Sequence, residues 1–203
     1  MRSVPRTIAG VFVGGSSRRM GGKPKALLAA PGSAETILAR TLRVLREASI
    51  EAVLVGDAPW LGDAFASVAR IADRAPGAGP LAGLAALIDE AERRSVERVL
   101  AIACDMPYVT VDLVTRLARA TTTRAIVAPR GEGEPPRWDP LFARYECARI
   151  SPVVRGLLAA RRLSMQAVFD GVEAEPLEMS DGERDLLRDW DEPHDVERGP
   201  DER

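Results

Sequence analysis

The sequence predicts an open α/β fold in three layers, with helices on both faces of a mostly parallel sheet. Three observations carry that prediction. Short apolar, β-rich runs alternate with amphipathic segments through nearly the whole chain. One run, VLAIA at residues 99–103, is continuously apolar, as a strand buried on both faces would be. Turns carrying glycine or aspartate follow the first, third and fourth runs, and open α/β sheets bind ligands beyond the carboxyl ends of their strands.

The elements follow in order. Residues 8–13 form the first strand and break into a Gly/Ser turn. Residues 29–34 are a turn. Residues 35–48 place Ile37, Leu38, Thr41, Leu42 and Leu45 on one helical face, with arginines opposite. Residues 50–55 are a second strand stopped by Gly56 and Pro59, and residues 60–65 a short helix. Residues 67–72 form a third strand ending at Asp73, followed by a rigid Pro/Gly turn. Residues 81–94 read as a helix, with Gly83 near its start permitting a close approach. Residues 99–103 make a central parallel strand, and residues 111–120 a helix whose start Thr110 or Asp112 favours.

Residues 125–128 are the next strand. Residues 130–136 form a polar loop on the active face, and residues 138–143 return as a short strand. A helix spans 146–161, with Pro152 in its first turn or interrupting it. A short helix at 164–169, a last strand at 173–177 and a charged tail complete a single domain, 1–203, with 196–203 frayed.

Composition excludes several classes. The formal net charge is −2, so nucleic acid is not an expected partner and anion binding must come from local clustering. No apolar run approaches the roughly 18 residues a membrane span needs. Residues 1–7 run directly into the first strand, so no signal peptide is expected and the cytoplasm is the expected location. Cys104 and Cys147 are expected as free thiols in a reducing compartment.

The chemistry concentrates in residues 14–25. Gly14, Gly15, Gly21 and Gly22 let backbone amides turn towards a bound group, which makes an anion cradle. Arg18, Arg19, Lys23 and Lys25 lie in the same loop, and the two lysines of the chain are both here. The pattern is neither GxxxxGK[ST] nor GxGxxG. Asp105 ends the VLAIA strand, where an unpaired buried carboxylate would be costly and a divalent cation would satisfy it. Asp73 precedes Pro76-Gly77-Ala78-Gly79-Pro80-Leu81-Ala82-Gly83, whose exposed amides beside a helix start suit a nucleotide base or ribose. Arg137 is a candidate for a phosphate, and Trp138 for stacking on a flat ring or for the core. The acidic stretch Asp189-Trp190-Asp191-Glu192-Pro193-His194-Asp195 reads as a solvated loop, and His194 as a surface residue.

On these motifs the chain resembles the molybdenum cofactor guanylyltransferases. Gly14, Gly15, Ser17, Arg19, Met20, Gly21 and Lys25 match the family's Gly-Gly-x-Ser-x-Arg-Met-Gly signature and its lysine. Cys104-Asp105-Met106-Pro107 matches the presentation of its metal-binding aspartate, and Asp73 with Gly79 to Gly83 its guanine-nucleotide segment. Pro193, Asp195 and Asp191 fit its C-terminal motif, whereas Asp189, Glu192 and His194 depart from it. Pro24 stands where the guanylyltransferases more often have aspartate and looks more like the CTP-using branch, and Phe12-Val13 stands where Leu-Ala is usual.

The resemblance implies a nucleotide-diphospho-sugar transferase-like, Rossmann-like fold and transfer of GMP from GTP to the terminal phosphate of molybdopterin, releasing pyrophosphate. It implies Arg19, Lys25 and Asp105 as catalytic residues. Phe12, Val13, Gly14, Gly15, Ser17, Lys25, Asp73, Gly79, Gly83 and Asp105 would bind the nucleotide. Mg²⁺ would sit on Asp105, with Asp191 the candidate for a second-metal or triphosphate-side role. The implied partners are GTP, molybdopterin, and client molybdoenzymes or their chaperones. Two alternatives stand beside it: the same chemistry with CTP, and a non-catalytic cofactor-binding protein.

Overall fold

A computed structural model describes residues 6–14, 24–72, 77–188 and 190. Its centre is a seven-stranded sheet of order β3-β2-β1-β4-β6-β5-β7. The strands are β1 (Thr7–Phe12), β2 (Glu51–Val55), β3 (Arg70–Ile71), β4 (Arg98–Ala103), β5 (Ile126–Ala128), β6 (Phe142–Glu146) and β7 (Ala174–Pro176). Neighbours β1–β2, β1–β4, β2–β3 and β5–β7 run parallel, while β6 runs antiparallel to both β4 and β5. The helices are α1 (Ile37–Glu47), α2 (Pro80–Arg93), α3 (Val111–Arg119), α4 (Cys147–Ala159), α5 (Gln166–Gly171) and α6 (Asp181–Asp185).

Each sheet face carries its own core. Alternate residues of β1, β2 and β4 point to opposite sides, as the two-residue period of a strand requires. Ile8, Val53, Val99 and Ala101 pack with Leu81, Leu84 and Leu87 of α2 and with Ile150 and Val154 of α4. Ala9, Val11, Leu54, Leu100 and Ile102 pack with Leu38, Val44 and Leu45 of α1 and with Leu113, Val114 and Leu117 of α3. The three-layer architecture expected from the sequence is therefore present. Each large side chain so buried contributes about 1.5–3 kcal/mol.

Helix starts follow local chemistry. Thr36 Oγ1 accepts the Ala39 N–H at 3.2 Å ahead of α1, and Thr110 Oγ1 accepts the Leu113 N–H at 3.3 Å ahead of α3. The helix α2 begins with Pro80 at its first position, where the absent N–H costs nothing. It also lies unusually near the sheet. A Cβ on Gly83 would stand 2.8 Å from Phe12 Cε1 and 2.9 Å from Val55 Cγ1, so the close approach expected at Gly83 is met. Gly83→Val should therefore lower stability by about 2 kcal/mol, read as a shift in the urea midpoint.

Several expectations are corrected. The central strand β4 is parallel to β1 but antiparallel to β6. The returning strand lies at Phe142–Glu146 rather than 138–143, because Asp139 Oδ1 accepts the Leu141 N–H at 3.2 Å and closes a turn there. The third strand shrinks to Arg70–Ile71. Residues 60–65 form a 3₁₀ segment, Pro59–Phe65, kinked at Gly62. Pro152 lies inside α4 without ending it. It and Ala148 are exposed, so water can serve the carbonyl freed by the missing N–H. The short helix α6 was not foreseen, although Ser180 and Glu183 spell a capping box and form one. The frayed tail expected at 196–203 lies outside the described residues.

Arg144 was not singled out and is completely buried on β6. One guanidinium N–H donates to the Ala120 carbonyl at the end of α3. Burial, reinforced by nearby Arg98, pushes its pKa down to about 10. A cation at a helix carboxyl end offsets part of that desolvation cost.

Candidate active site

The carboxyl ends of three adjacent parallel strands open into one cavity of about 560 Å³. Phe12 and Gly14 extend β1, Val55 to Asp57 extend β2, and Ala103 to Asp105 extend β4. The start of α2 closes the far wall with Gly77, Gly79, Pro80 and Gly83. No side chain caps α2, and its amino end faces this space, where a helix dipole favours acceptor groups. Two turns touch back to back here. Gly56 has φ of +105°, and a Cβ on it would stand 3.0 Å from the Gly14 nitrogen, so a side chain at 56 would push the first loop away.

Lys25 opens a 3₁₀ turn, Lys25–Leu27, directly after Pro24. Its Nζ donates to Asp105 Oδ2 at 3.4 Å, with side chains 15% and 24% exposed. The pair is half-buried and still reachable from the cavity. The turn bearing Asp105 is held from two sides. Arg40 Nε of α1 donates to the Pro107 carbonyl at 2.7 Å, and the Trp190 N–H donates to the Asp105 carbonyl at 3.1 Å. Next to it, the Cys104 thiol is pushed up to about 12, first by burial and then by the Asp105 charge. It stays protonated and packs against the core facing α1 and α3.

A second cavity of about 570 Å³ adjoins the first. Met106 and Pro140 line it, while their chain neighbours Asp105 and Leu141 line the first, so these two peptides form the divide. Arg137, Arg184 and Arg188 bring cations to it, and Glu132, Asp139 and Asp185 bring carboxylates. Trp138 lines its edge and is half-buried. Phe169 stacks on one side at 5.2 Å and 11°, and the Arg130 guanidinium lies over the ring at 5.2 Å. Gln166 also pins the Trp138 backbone, accepting its N–H at 3.1 Å and donating to its carbonyl at 2.7 Å. Of the two readings open for Trp138, the contacts seen here are those of a side chain packed against the core around Phe169.

Of the residues read from the sequence, Phe12, Gly14, Gly79, Gly83 and Asp105 are brought together at the first cavity, with Lys25 bonded to Asp105. Val13 is not. Its side chain is buried among the residues facing α1 and α3, and its N–H donates to the Val55 carbonyl at 3.0 Å. Gly15, Ser17, Arg19, Asp73 and Asp191 lie outside the described residues. Two residues were missed. Asp57 lines the cavity, and Trp190 is 2% exposed although its stretch read as a solvated tail. A carboxylate directly after a strand-ending glycine was the available signal for Asp57. The tryptophan among acids was the signal for Trp190.

The arrangement has the chemistry to hold a metal against a substrate. Among the described residues no three His, Cys, Asp or Glu side chains gather into a metal site. Asp57 and Asp105 bring two carboxylates to the cavity, and this donor set fits Mg²⁺, which takes one or two carboxylates and fills its remaining positions with phosphate and water. No helix among the described residues is long and apolar enough to cross a membrane.

Comparison with known proteins agrees with this geometry. Residues 9–173 match the family described as "MobA-like NTP transferase domain". A probable molybdenum cofactor guanylyltransferase of Opitutus terrae is 30% identical over 192 residues, 93% of this chain and 92% of its own length. One from Mycobacterium tuberculosis is 34% identical over 172 residues, 84% and 83% of the two chains. Among solved structures, molybdopterin-guanine dinucleotide biosynthesis protein A from Archaeoglobus fulgidus superposes with a TM-score of 0.72 at 18% identity, covering 93% of this chain and 94% of that one. That likeness bears on the fold. It agrees with the α/β architecture described above.

Proposed function

Since this chain belongs to the MobA-like NTP transferases, the family of the molybdenum cofactor guanylyltransferases, we propose that it transfers GMP from GTP to the terminal phosphate of molybdopterin and releases pyrophosphate. The observation that carries this reading is that Asp105 lines the first cavity and its neighbour Met106 the second, with Lys25 Nζ 3.4 Å from the Asp105 carboxylate. The first would take the nucleotide and the second the phosphorylated acceptor. A phosphate oxygen of the acceptor attacks the α-phosphorus, the bond to the bridging oxygen breaks, and pyrophosphate carries off the charge.

A phosphate monoester is largely ionised near neutral pH, its second pKa being about 6, so the reaction needs no strong general base. The chain's one histidine, His194, has no part in this scheme. Catalysis is positioning and charge neutralisation. Lys25 neutralises the departing pyrophosphate, and Arg19 with the amides of Gly14 and Gly15 would hold the triphosphate. Asp105 would hold Mg²⁺, which would supply charge stabilisation on the reacting phosphates. Asp73 on the nucleotide side and Asp191 as a further metal or phosphate-side residue belong to the same proposal. The product would pass to client molybdoenzymes or their chaperones in the cytoplasm.

The choice of base draws support from Asp57. Strands β2 and β4 flank β1, so the strand ends that Asp57 and Asp105 follow lie two strand spacings apart, about 10 Å. A carboxylate away from the phosphates suits adjacent donors, and guanine offers N1–H beside its amino group. Cytosine and adenine set an acceptor nitrogen beside theirs, which would face the carboxylate unpaired. Asp57→Ala should therefore cut the preference for GTP over CTP and ATP by about a hundredfold in kcat/KM.

Pro24 favours a second reading, the same transfer with CTP. The departures at Asp189, Glu192 and His194 favour a third, a non-catalytic binder of the cofactor. Pyrophosphate release by purified protein with Mg²⁺ and metal-loaded molybdopterin, run in parallel with GTP, CTP and ATP, separates them. Release with GTP alone is expected. Release with CTP alone supports the Pro24 reading, and cofactor binding without any release supports the third.

A further inference from the structure

We propose that Trp190 is a positioning residue that ties the segment bearing Lys25 to the turn bearing Asp105 and thereby sets the geometry of that pair. The proposal rests on the transferase reading above for its consequence in turnover, but its structural core is independent of it.

Trp190 belongs to neither of the two large cores. With Ala30, Ile37 and Tyr108 it forms a separate small cluster, flanked by Leu28 and Leu186. One side of this cluster is the Lys25 segment. The Leu28 N–H donates to the Lys25 carbonyl at 2.9 Å, and the Ile37 N–H donates to the Leu28 carbonyl at 2.9 Å, so Leu28 and Ile37 hold the end of the Lys25 turn. The other side is the Asp105 turn. The Trp190 N–H donates to the Asp105 carbonyl, and the indole meets Tyr108 edge to face at 6.3 Å and 78°. One residue therefore touches both partners' supports, although Lys25 and Asp105 are 80 positions apart in sequence.

The physical consequence is specific. An ion pair formed by two segments of different elements keeps its spacing only if those segments are fixed to one another. Ala26 and Met106 meet in the core facing α1 and α3 and Arg40 holds Pro107, while Ala30 and Tyr108 meet, with Trp190, across this satellite cluster. Truncating the indole removes the wedge between them and leaves the two large cores intact. The ordinary alternative, that Trp190 merely fastens the chain end, predicts lower stability with no change at the pair.

The sequence supplies a clean readout. Lys23 and Lys25 are the only two lysines of the chain, so ¹³C-dimethylation, which keeps the charge, yields two lysine side-chain signals by NMR. Lys23→Arg identifies that of Lys25. In the full chain, with folding checked by urea titration, Trp190→Ala should move the Lys25 signal in the direction that Asp105→Asn moves it and leave that of Lys23 in place. Trp190→Phe should restore it. Trp190→Leu, which keeps apolar volume, gives the same test should the alanine variant not fold.

In turnover with GTP, kcat should fall at least tenfold with KM for GTP changed less than threefold, and Trp190→Ala should add no further loss in the Asp105→Asn background. An unmoved Lys25 signal in a folded Trp190→Ala or Trp190→Leu protein overturns the proposal, whatever the activity. A wild-type protein without GTP turnover defeats the transferase reading instead and leaves the NMR result to judge the anchor.

Discussion

Asp105→Asn leaves a folded protein whose turnover with GTP falls at least about a thousandfold. The fold survives because the side chain lies in a turn past the end of β4, partly exposed at the cavity, and contributes nothing to either main core. The backbone carbonyl that accepts the Trp190 N–H is unchanged by the substitution. What is lost is a formal charge at the divide between the two cavities. Asparagine is nearly isosteric, so cavity shape is kept and the loss reports charge. Steady-state kinetics beside a urea titration makes the comparison. A folded variant with the wild-type rate would remove both the metal-holding and the Lys25-orienting roles from Asp105.

Lys25→Met is the second large effect, about a hundredfold to a thousandfold in kcat/KM. Methionine keeps much of the unbranched stem and removes the ammonium, so packing along the 3₁₀ turn is preserved while the charge goes. A lysine that stabilises departing pyrophosphate acts more strongly in the transition state than in the bound triphosphate. The loss should therefore fall mainly on kcat and less on KM for GTP. Lys25 and Asp105 bond directly, so their effects should not add. The double variant should be little worse than Asp105→Asn alone, whereas a fully additive loss would mean that the two act separately.

Where periodicity alone decides, the sequence was a good guide. The strands β1, β2 and β4 and the helices α1, α2 and α3 lie within a residue or two of the expected spans, because each has a one-sided or continuous apolar pattern longer than its ambiguities. Strand direction is another matter. Nothing in Phe142-Ala143-Arg144-Tyr145-Glu146 encodes that β6 runs against its neighbours, and a charged residue at its centre reads as surface until Ala120 supplies a partner. The site divides in the same way. Gly79, Gly83, Lys25 and Asp105 were legible because strand ends and helix starts are local features. Trp138 and Trp190 were not, because whether an indole is an open platform, a packed slab or an anchor depends on residues far along the chain: Phe169 and Arg130 for one, Tyr108 and Ile37 for the other.

In the proposed function, Asp105 and Lys25 stand where a nucleotide's α-phosphorus meets an acceptor phosphate. Tracing label from GTP tests it most directly. Purified protein, Mg²⁺ and metal-loaded molybdopterin are incubated in parallel with α-³²P-GTP and γ-³²P-GTP, and the products are separated. The α-label should move into an acceptor-linked guanine dinucleotide in step with the appearance of γ-label in pyrophosphate, and Asp105→Asn should stop both. Label from the γ-position on the acceptor, or no transfer of α-label with intact acceptor, would contradict it.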